Sequence, residues 1–290
     1  MTTRRPPRNP TRPAPKAPGE RDAARDAPKG RRAARGAAPP RKPKLEEADR
    51  EDGPQRIAKL LARAGVGSRR DVERMIEEGR IALNGQVIVQ PAPLLTSLEG
   101  LTVDGNPVAK PVSTRLYRFH KPAGCLTATR DPKGRKTIYD LLPKGLPRLM
   151  PVGRLDYNTE GLLLLTNDGE FKRQLELPAS GVERTYRARA FGDISQEQLE
   201  ELVMGIEIDG VRYGKIDANL ERRTGRNQWI ELTLTEGKNR EVRKVLEHFG
   251  LQVSRLIRTR YGEFTLEDLG MGDVDVVARD DLFKFRRHLR

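Results

Sequence analysis

The feature that most restricts how this chain can fold is a break in composition near residue 53. Residues 1–50 hold 15 Lys and Arg against 6 Asp and Glu, together with 10 of the 21 prolines. Beyond Met1, the one large apolar side chain among them is Leu45. Such a stretch cannot bury enough apolar surface to offset the entropy of ordering its backbone, so a disordered basic tail is expected over 1–53. An Arg-rich start also raises an organelle transit peptide, but these prolines and acidic residues suit an amphipathic targeting helix poorly. The tail acts either as a solubilising segment or as one that gathers RNA by counterion release. The remaining 240 residues are enough for two small domains with a buried core.

Of the formal net charge of +14, a surplus of +9 lies in the first fifty residues. Such a balance argues for a polyanionic partner, and charge alone does not separate RNA, DNA and an anionic membrane. No apolar run approaches the ~20 residues needed to span a bilayer, and the N-terminus lacks the apolar stretch of a secretory signal. The single cysteine, Cys125, leaves no partner for an intrachain disulfide and fits a reducing compartment. Three histidines and one cysteine offer no zinc-type cluster, while an all-carboxylate site for a hard cation stays open. The expectation is a cytoplasmic protein, not bound to a membrane, that works without metal.

A small module is expected over 54–112. Ile57, Leu60, Leu61 and Ala64 recur at helical spacing up to Gly65. Ser68-Arg69-Arg70-Asp71 has the form of a capping box, in which a hydroxyl and a carboxylate satisfy the free amides of a new helix. Val72, Met75 and Ile76 supply that helix's buried face, leaving Arg69, Arg70 and Arg74 near its start and on its open side. Asn84-Gly85 between β-prone runs is a hairpin signal, and Asp104-Gly105 offers a second tight turn. The stretch LLARAGVGSRRDVERMIEEGRIALNGQVI resembles the RNA-binding domain named after ribosomal protein S4. The resemblance implies that Arg69, Arg70 and Arg74 contact RNA; without it, they would read as a solvated helical face.

From 113 to 275 strands and helices alternate without a phosphate-loop or dinucleotide glycine signature. Leu116–His120, Leu162–Thr166, Glu183–Phe191 and the stretch holding Ile230, Leu232 and Leu234 read as strands. Helices are expected after Asn167, which with Glu170 suggests a capping pair, from Ser195 to Gly205, and over Asn239–Phe249. Residues 276–290 read as a charged tail. The fold class is therefore α+β: a small N-terminal RNA-binding module, then a mixed, largely antiparallel sheet with flanking helices.

Three places in this larger domain carry polar residues that a core does not need. In Gly153-Arg154-Leu155-Asp156, an Arg and an Asp flank a leucine between two apolar segments; turn carboxylates usually bond nearby amides. Tyr186 lies on a strand, where a packing role is the ordinary one. Glu236-Gly237-Lys238-Asn239-Arg240-Glu241-Val242-Arg243 is a glycine turn into a basic helix, ordinarily a solvated face.

As a combination these motifs resemble the family of ribosomal RNA pseudouridine synthases that carry the S4-type domain. The resemblance spans about residues 54–270 and includes Lys121-Pro122-x-Gly124; QVSRLIRTRYGEFTL and NQWIELTLTEGKNREVRKV are closer to members acting on large-subunit RNA. It implies that Asp156 is the catalytic carboxylate, Tyr186 the aromatic that stacks on the target base, and Arg243 the cation paired with Asp156. Arg154, Lys238 and Arg240 are implied to bind substrate. The departures are the basic tail and a divergent segment from Pro91 to Gly100.

The implied reaction breaks the ribose–N1 bond of a uridine, turns the uracil and joins the ribose to C5. A carboxylate serves there as nucleophile or proton acceptor at the sugar, as in glycoside cleavage. A nearby Arg keeps it ionised, an aromatic face holds the loosened base, and the target must first leave its stack. No redox change occurs and no external group enters, so neither cofactor nor metal is implied. The partner is ribosomal RNA or a ribosomal precursor particle, bound by a monomer, with small-subunit RNA as the alternative target. Two other classes stay open: a non-catalytic ribosome-assembly factor, and a nucleoside-cleaving enzyme using Asp156 and Glu160 as a carboxylate pair.

Overall fold

In the computed structural model, residues 53–90, 93–267 and 269–289 are described; the expected basic tail lies outside them, Gly53 excepted. The N-terminal module follows its turn chemistry. Helix α1 (Ile57–Arg63) buries Ile57, Ala58 and Leu61, and Gly65 carries the chain out of it at φ 88°. Helix α2 (Arg69–Glu77) opens on the expected capping box: the Ser68 hydroxyl accepts from the Asp71 amide, and the Asp71 carboxylate accepts from the Ser68 amide. Strands β1 (Ile81–Leu83) and β2 (Leu101–Val103) pair antiparallel, and each turns back through its own tight turn to Gln86–Val87 and Asn106–Pro107. Both residues of each turn, Asn84-Gly85 and Asp104-Gly105, have positive φ, the geometry that matches strand twist. Ile57, Leu61, Val72, Ile76, Ile81 and Leu101 form the module's core.

The larger body is a mixed sheet of β3 (Leu116–Lys121), β4 (Thr159–Thr166), β5 (Arg184–Phe191), β6 (Ile216–Thr224), β7 (Asn227–Leu234), β8 (Gln252–Tyr261) and β9 (Val274–Val276). Their spatial order is β6-β7-β5-β8-β4-β3-β9, with Met150–Pro151 and Phe264–Thr265 added to β4 and β8. The pairing of β8 with β4 is parallel and the others are antiparallel. Strand β4 is buried on both faces, which explains its run of four leucines. Leu162 and Leu164 pack with Phe171 and Leu175 on one side, and Leu163 and Leu165 with Tyr117, Phe119 and Ile138 on the other.

Helices α3 (Gly169–Glu176), α4 (Gln196–Glu200) and α5 (Glu241–His248) flank the sheet. The cap of α3 is Asp168, not Asn167: its carboxylate accepts from the Glu170 and Phe171 amides. Asn167 instead tethers the entry to β3, accepting from the Arg115 amide and donating to the Ser113 carbonyl. Helix α5 begins two residues later than expected because Arg240 sits in the left-handed region at φ 52° and cannot continue a helix. The charged tail expected over 276–290 is corrected as well. Residues Arg279–His288 form helix α6, whose Leu282 and Phe285 pack against Val182, Tyr261 and Phe264, so the apolar pair docks a helix that its charged neighbours disguise.

The two bodies meet at the start of α3. Arg63 of α1 lies 3.2 Å from the buried Asp168 carboxylate and donates to the Thr114 hydroxyl at 2.8 Å, while Lys59 pairs with Glu170 at 3.2 Å. No helix among the described residues is long and apolar enough to cross a membrane.

Candidate active site

The parallel junction of β4 and β8 needs unusually close backbones. Gly161, at φ 105°, faces Arg258 across it, and a Cβ there would fall 2.6 Å from the Arg258 amide nitrogen and closer still to its carbonyl oxygen. Just before this junction runs the loop carrying Asp156, and its backbone is tied at successive residues. The Thr127 hydroxyl donates to the Leu155 carbonyl at 2.8 Å. The fully buried Lys121 ammonium donates to the carbonyls of Pro122, Asp156 and Thr159 at 3.0, 3.1 and 2.9 Å. The Gly124 amide donates to Tyr157 O at 2.8 Å, and Arg243 Nη2 to Asn158 O at 3.1 Å. Burial lowers the Lys121 pKa, and the facing Cys125, Asp156 and Glu160 oppose that shift.

With its backbone held, Asp156 presents a side chain 38% exposed to a cleft of about 720 Å³, a size suited to a single nucleotide-like group. Arg154, Tyr186, Lys238 and Arg240 line the same cleft, so five of the residues singled out in the sequence converge there. The ion pair made by Asp156 is with Arg240, Nη1 to Oδ2 4.0 Å. Arg243, expected to pair with the carboxylate, instead directs its hydrogen bonds to the carbonyls of Val253 and Asn158, both at 3.1 Å. The two charges still act on one another: burial and the neighbouring Arg240 lower the Arg243 pKa, and Asp156 raises it.

Tyr186 faces Arg258 across β5 and β8, with Arg258 Nη1 3.5 Å from the phenol oxygen. Arg258 is buried against the Tyr261 ring, donates through Nε to Leu162 O at 2.7 Å, and keeps Nη2 without an acceptor among the described residues. Glu160 is committed elsewhere: Arg255 grips both its oxygens at 2.9 Å and holds its carboxyl below the usual range. A working carboxylate pair with Asp156 is therefore not assembled. Arg69, Arg70 and Arg74 lie on the N-terminal module and do not line the cleft; Arg74 is shared between Asp71 and Glu78 at 3.6 and 3.8 Å.

The loop that supplies Lys238 and Arg240 has its own fastening. Glu241, buried at the start of α5, accepts from the Lys238 amide through Oε2 at 2.8 Å, and its Oε1 is buried without a donor among the described residues. The carboxyl meets that of Glu236. Burial and the Glu236 charge push Glu241 up to about 8. Burial would raise Glu236 too, but the Gly214 amide and the Lys238 ammonium hold it below its usual value. The raised pKa favours the protonated carboxyl, the form that can share a proton with Glu236.

Lys121, Thr127, Arg258 and Glu241 were not singled out by sequence reasoning as site residues. For Lys121 a signal exists, a lysine ending the apolar strand Leu116-Tyr117-Arg118-Phe119-His120, where a central strand has no room for an unpaired ammonium. Arg258 sits in a strand with two other arginines, and nothing local marks it as the buried one.

Comparison with known proteins places the chain in a family. Residues 115–248 match the family model described as RNA pseudouridylate synthase, and residues 55–93 that of the S4 domain. The chain is 44% identical over 215 residues to an uncharacterized RNA pseudouridine synthase of Rickettsia bellii, covering 74% of this chain and 93% of that one. It is 41% identical over 218 residues to ribosomal large subunit pseudouridine synthase B of Yersinia pestis, covering 73% and 69% of the two chains. The fold matches a crystal structure of pseudouridylate synthase with TM-score 0.56 at 24% identity, over 80% of this chain and 99% of the other. The chain therefore belongs to the RNA pseudouridylate synthase family, with an S4 domain preceding its synthase domain.

Proposed function

We propose that this enzyme isomerises one uridine of ribosomal RNA, in the large subunit, to pseudouridine, acting as a cytoplasmic monomer with Asp156 as the catalytic carboxylate. The observation that carries the reading is the position of Asp156: a carboxylate half open to the cleft, on a loop whose carbonyls are bound by Lys121, Gly124 and Arg243, with Arg240 4.0 Å away. Fixing the loop removes the entropy of positioning the reacting group. Arg240 and Arg243 bring positive charge to the side of the carboxylate. The carboxylate then attacks at the sugar or takes a proton from it, the N1–C1′ bond breaks, and a C5–C1′ bond forms. C5 gives up its hydrogen and N1 gains one, so the reaction is balanced without oxidant or added group. Tyr186 offers the face on which the detached uracil turns. The name of the Yersinia pestis relative supports the large-subunit assignment. Carbodiimide modification and primer extension on ribosomal RNA from a strain lacking the gene tests it. One missing stop in large-subunit RNA is expected, whereas an unchanged pattern, or a loss in small-subunit RNA, contradicts the assignment.

A further inference from the structure

Beside the catalytic cleft lies a second and larger concavity of about 2320 Å³, bounded by α1 and the start of α2 on one side and by α3 and α6 on the other. Its acidic lining is neutralised in place. Asp168 is paired with Arg63, Glu170 with Lys59, and Glu176 with Lys172. Among the cations that remain are four arginines on separate elements: Arg69 at the start of α2, Arg148 before the Met150–Pro151 strand, Arg173 on α3 and Arg279 at the start of α6. All four are exposed and have no ion-pair partner among the described residues. Such charges usually scatter over a surface; here four separate elements bring them to one groove, where low-dielectric walls focus their field.

Two further observations direct the groove toward the reaction. Lys172 and Glu176 of α3 line both the groove and the catalytic cleft, so the two concavities adjoin at α3. The wall between the bodies is also built rather than incidental, because Arg63 reaches the buried Asp168 and the Thr114 hydroxyl across it. At this volume the groove exceeds the roughly 300–1,000 Å³ of small-molecule sites, and its four arginines come from separate elements.

We propose that this groove binds the phosphodiester backbone of the substrate RNA, with Arg148, Arg173 and Arg279 contacting phosphates between the S4 domain and the cleft. The proposal rests on the reading of the chain as an RNA-modifying enzyme. It assigns a binding role to helix α6, which lies outside both stretches matched by the family models. Phosphate contacts of this kind position an RNA without reading its sequence.

The test uses the full-length protein and a transcript of large-subunit ribosomal RNA, with binding measured by filter retention over a range of KCl concentrations. Three forms are compared with the wild type: Arg148→Ala/Arg173→Ala/Arg279→Ala, the same three positions changed to Lys, and Arg189→Ala/Lys215→Ala/Arg222→Ala. The last set is exposed, lies outside the groove and cleft, and removes the same charge. The groove alanines should weaken binding about tenfold or more near 0.1 M KCl and flatten the log–log salt slope by about 2–3, close to one released counterion per lost contact. The lysine form should keep most of the affinity, and the control set should change Kd less than about threefold. Equal losses from the groove and control sets would overturn the proposal, reducing the effect to net charge. Unchanged RNA binding with lost binding of polyglutamate would also overturn it, assigning the groove to an acidic polypeptide. Because binding is read without turnover, a wild type that binds RNA through the groove yet isomerises nothing would sink the proposed reaction and leave the groove standing.

Discussion

The buried ammonium of Lys121 donates to the carbonyl oxygen of Asp156 at 3.1 Å, and to those of Pro122 and Thr159 on either side. The lysine ends strand β3 and these carbonyls flank the cleft-facing carboxylate, so one charge joins the sheet to the loop that carries Asp156. Lys121→Met keeps most of the length of the side chain but removes every one of these donors. Leaving carbonyls unpaired costs about 1–3 kcal/mol each where they stay dry, so the melting temperature should drop. The rate should drop further, roughly 10–100-fold in single-turnover kcat, because the carboxylate is no longer held in place. Loss of stability with full activity in the folded fraction would show that Lys121 serves the core alone.

Arg240 and Arg243 should differ. Arg240 is nearly half exposed and 4.0 Å from Asp156, so screening limits its contribution. Arg243 is buried and holds the loop through Asn158. Arg240→Ala should slow the chemical step about tenfold, and Arg243→Ala by about a hundredfold or more, since it loses both the charge and the backbone tie. Arg243→Lys cannot reach two carbonyls with a planar fork and should recover little. Single-turnover rates with saturating RNA give the comparison; equal effects from the two alanine variants would count against the division of labour drawn here.

Gly161→Ala tests the parallel junction. The backbone there has φ 105° and meets Arg258 at a distance no Cβ tolerates. Left-handed strain and the clash together should cost ~3 kcal/mol or more, lowering the melting temperature by roughly 6–12 °C in a domain of this size. A melting temperature within a degree of wild type would mean that β4 and β8 are not packed as described.

The Glu236–Glu241 contact makes stability depend on pH. Glu241 has its folded pKa raised to about 8, so its contribution is fully present below the ordinary carboxyl range and is lost as pH rises through about 8. Glu241→Gln supplies a permanent donor facing the Glu236 carboxylate. The variant should melt close to wild type at pH 5.5 and several degrees above it at pH 9, as followed by circular dichroism. A gap that stays constant across this range would argue against a shared proton.

Much of the local structure is written in short-range chemistry. Ser68 with Asp71, Asn84-Gly85, and the leucines of β4 each need only a few neighbours to specify a cap, a turn or a doubly buried strand. The resemblance also named Asp156, Tyr186, Arg154, Lys238 and Arg240, which meet in one cleft. What stayed hidden depends on distant partners. Lys121 owes two of its acceptors to carbonyls 35 and 38 residues away. Asn167 and Asp168 are adjacent candidates for one cap, and the choice falls to Asp168 because Arg63 and Thr114 secure its other oxygen. Helix α6 carries two core apolar side chains among charges, too few for a periodic signal until Phe264 and Tyr261 are seen beneath them.

The central claim is that Asp156 supplies the negative charge used in the reaction, and Asp156→Asn tests it most directly because the amide keeps the shape and loses the charge. The measurement is pseudouridine formed in a single turnover on large-subunit ribosomal RNA, alongside Kd for the same transcript. The variant should be purified from a host lacking its own homologous synthase. The account predicts no detectable product over many wild-type half-times, with Kd within about threefold of wild type because the S4 domain and basic surfaces are untouched. Product formed at a rate near that of the wild type would contradict it.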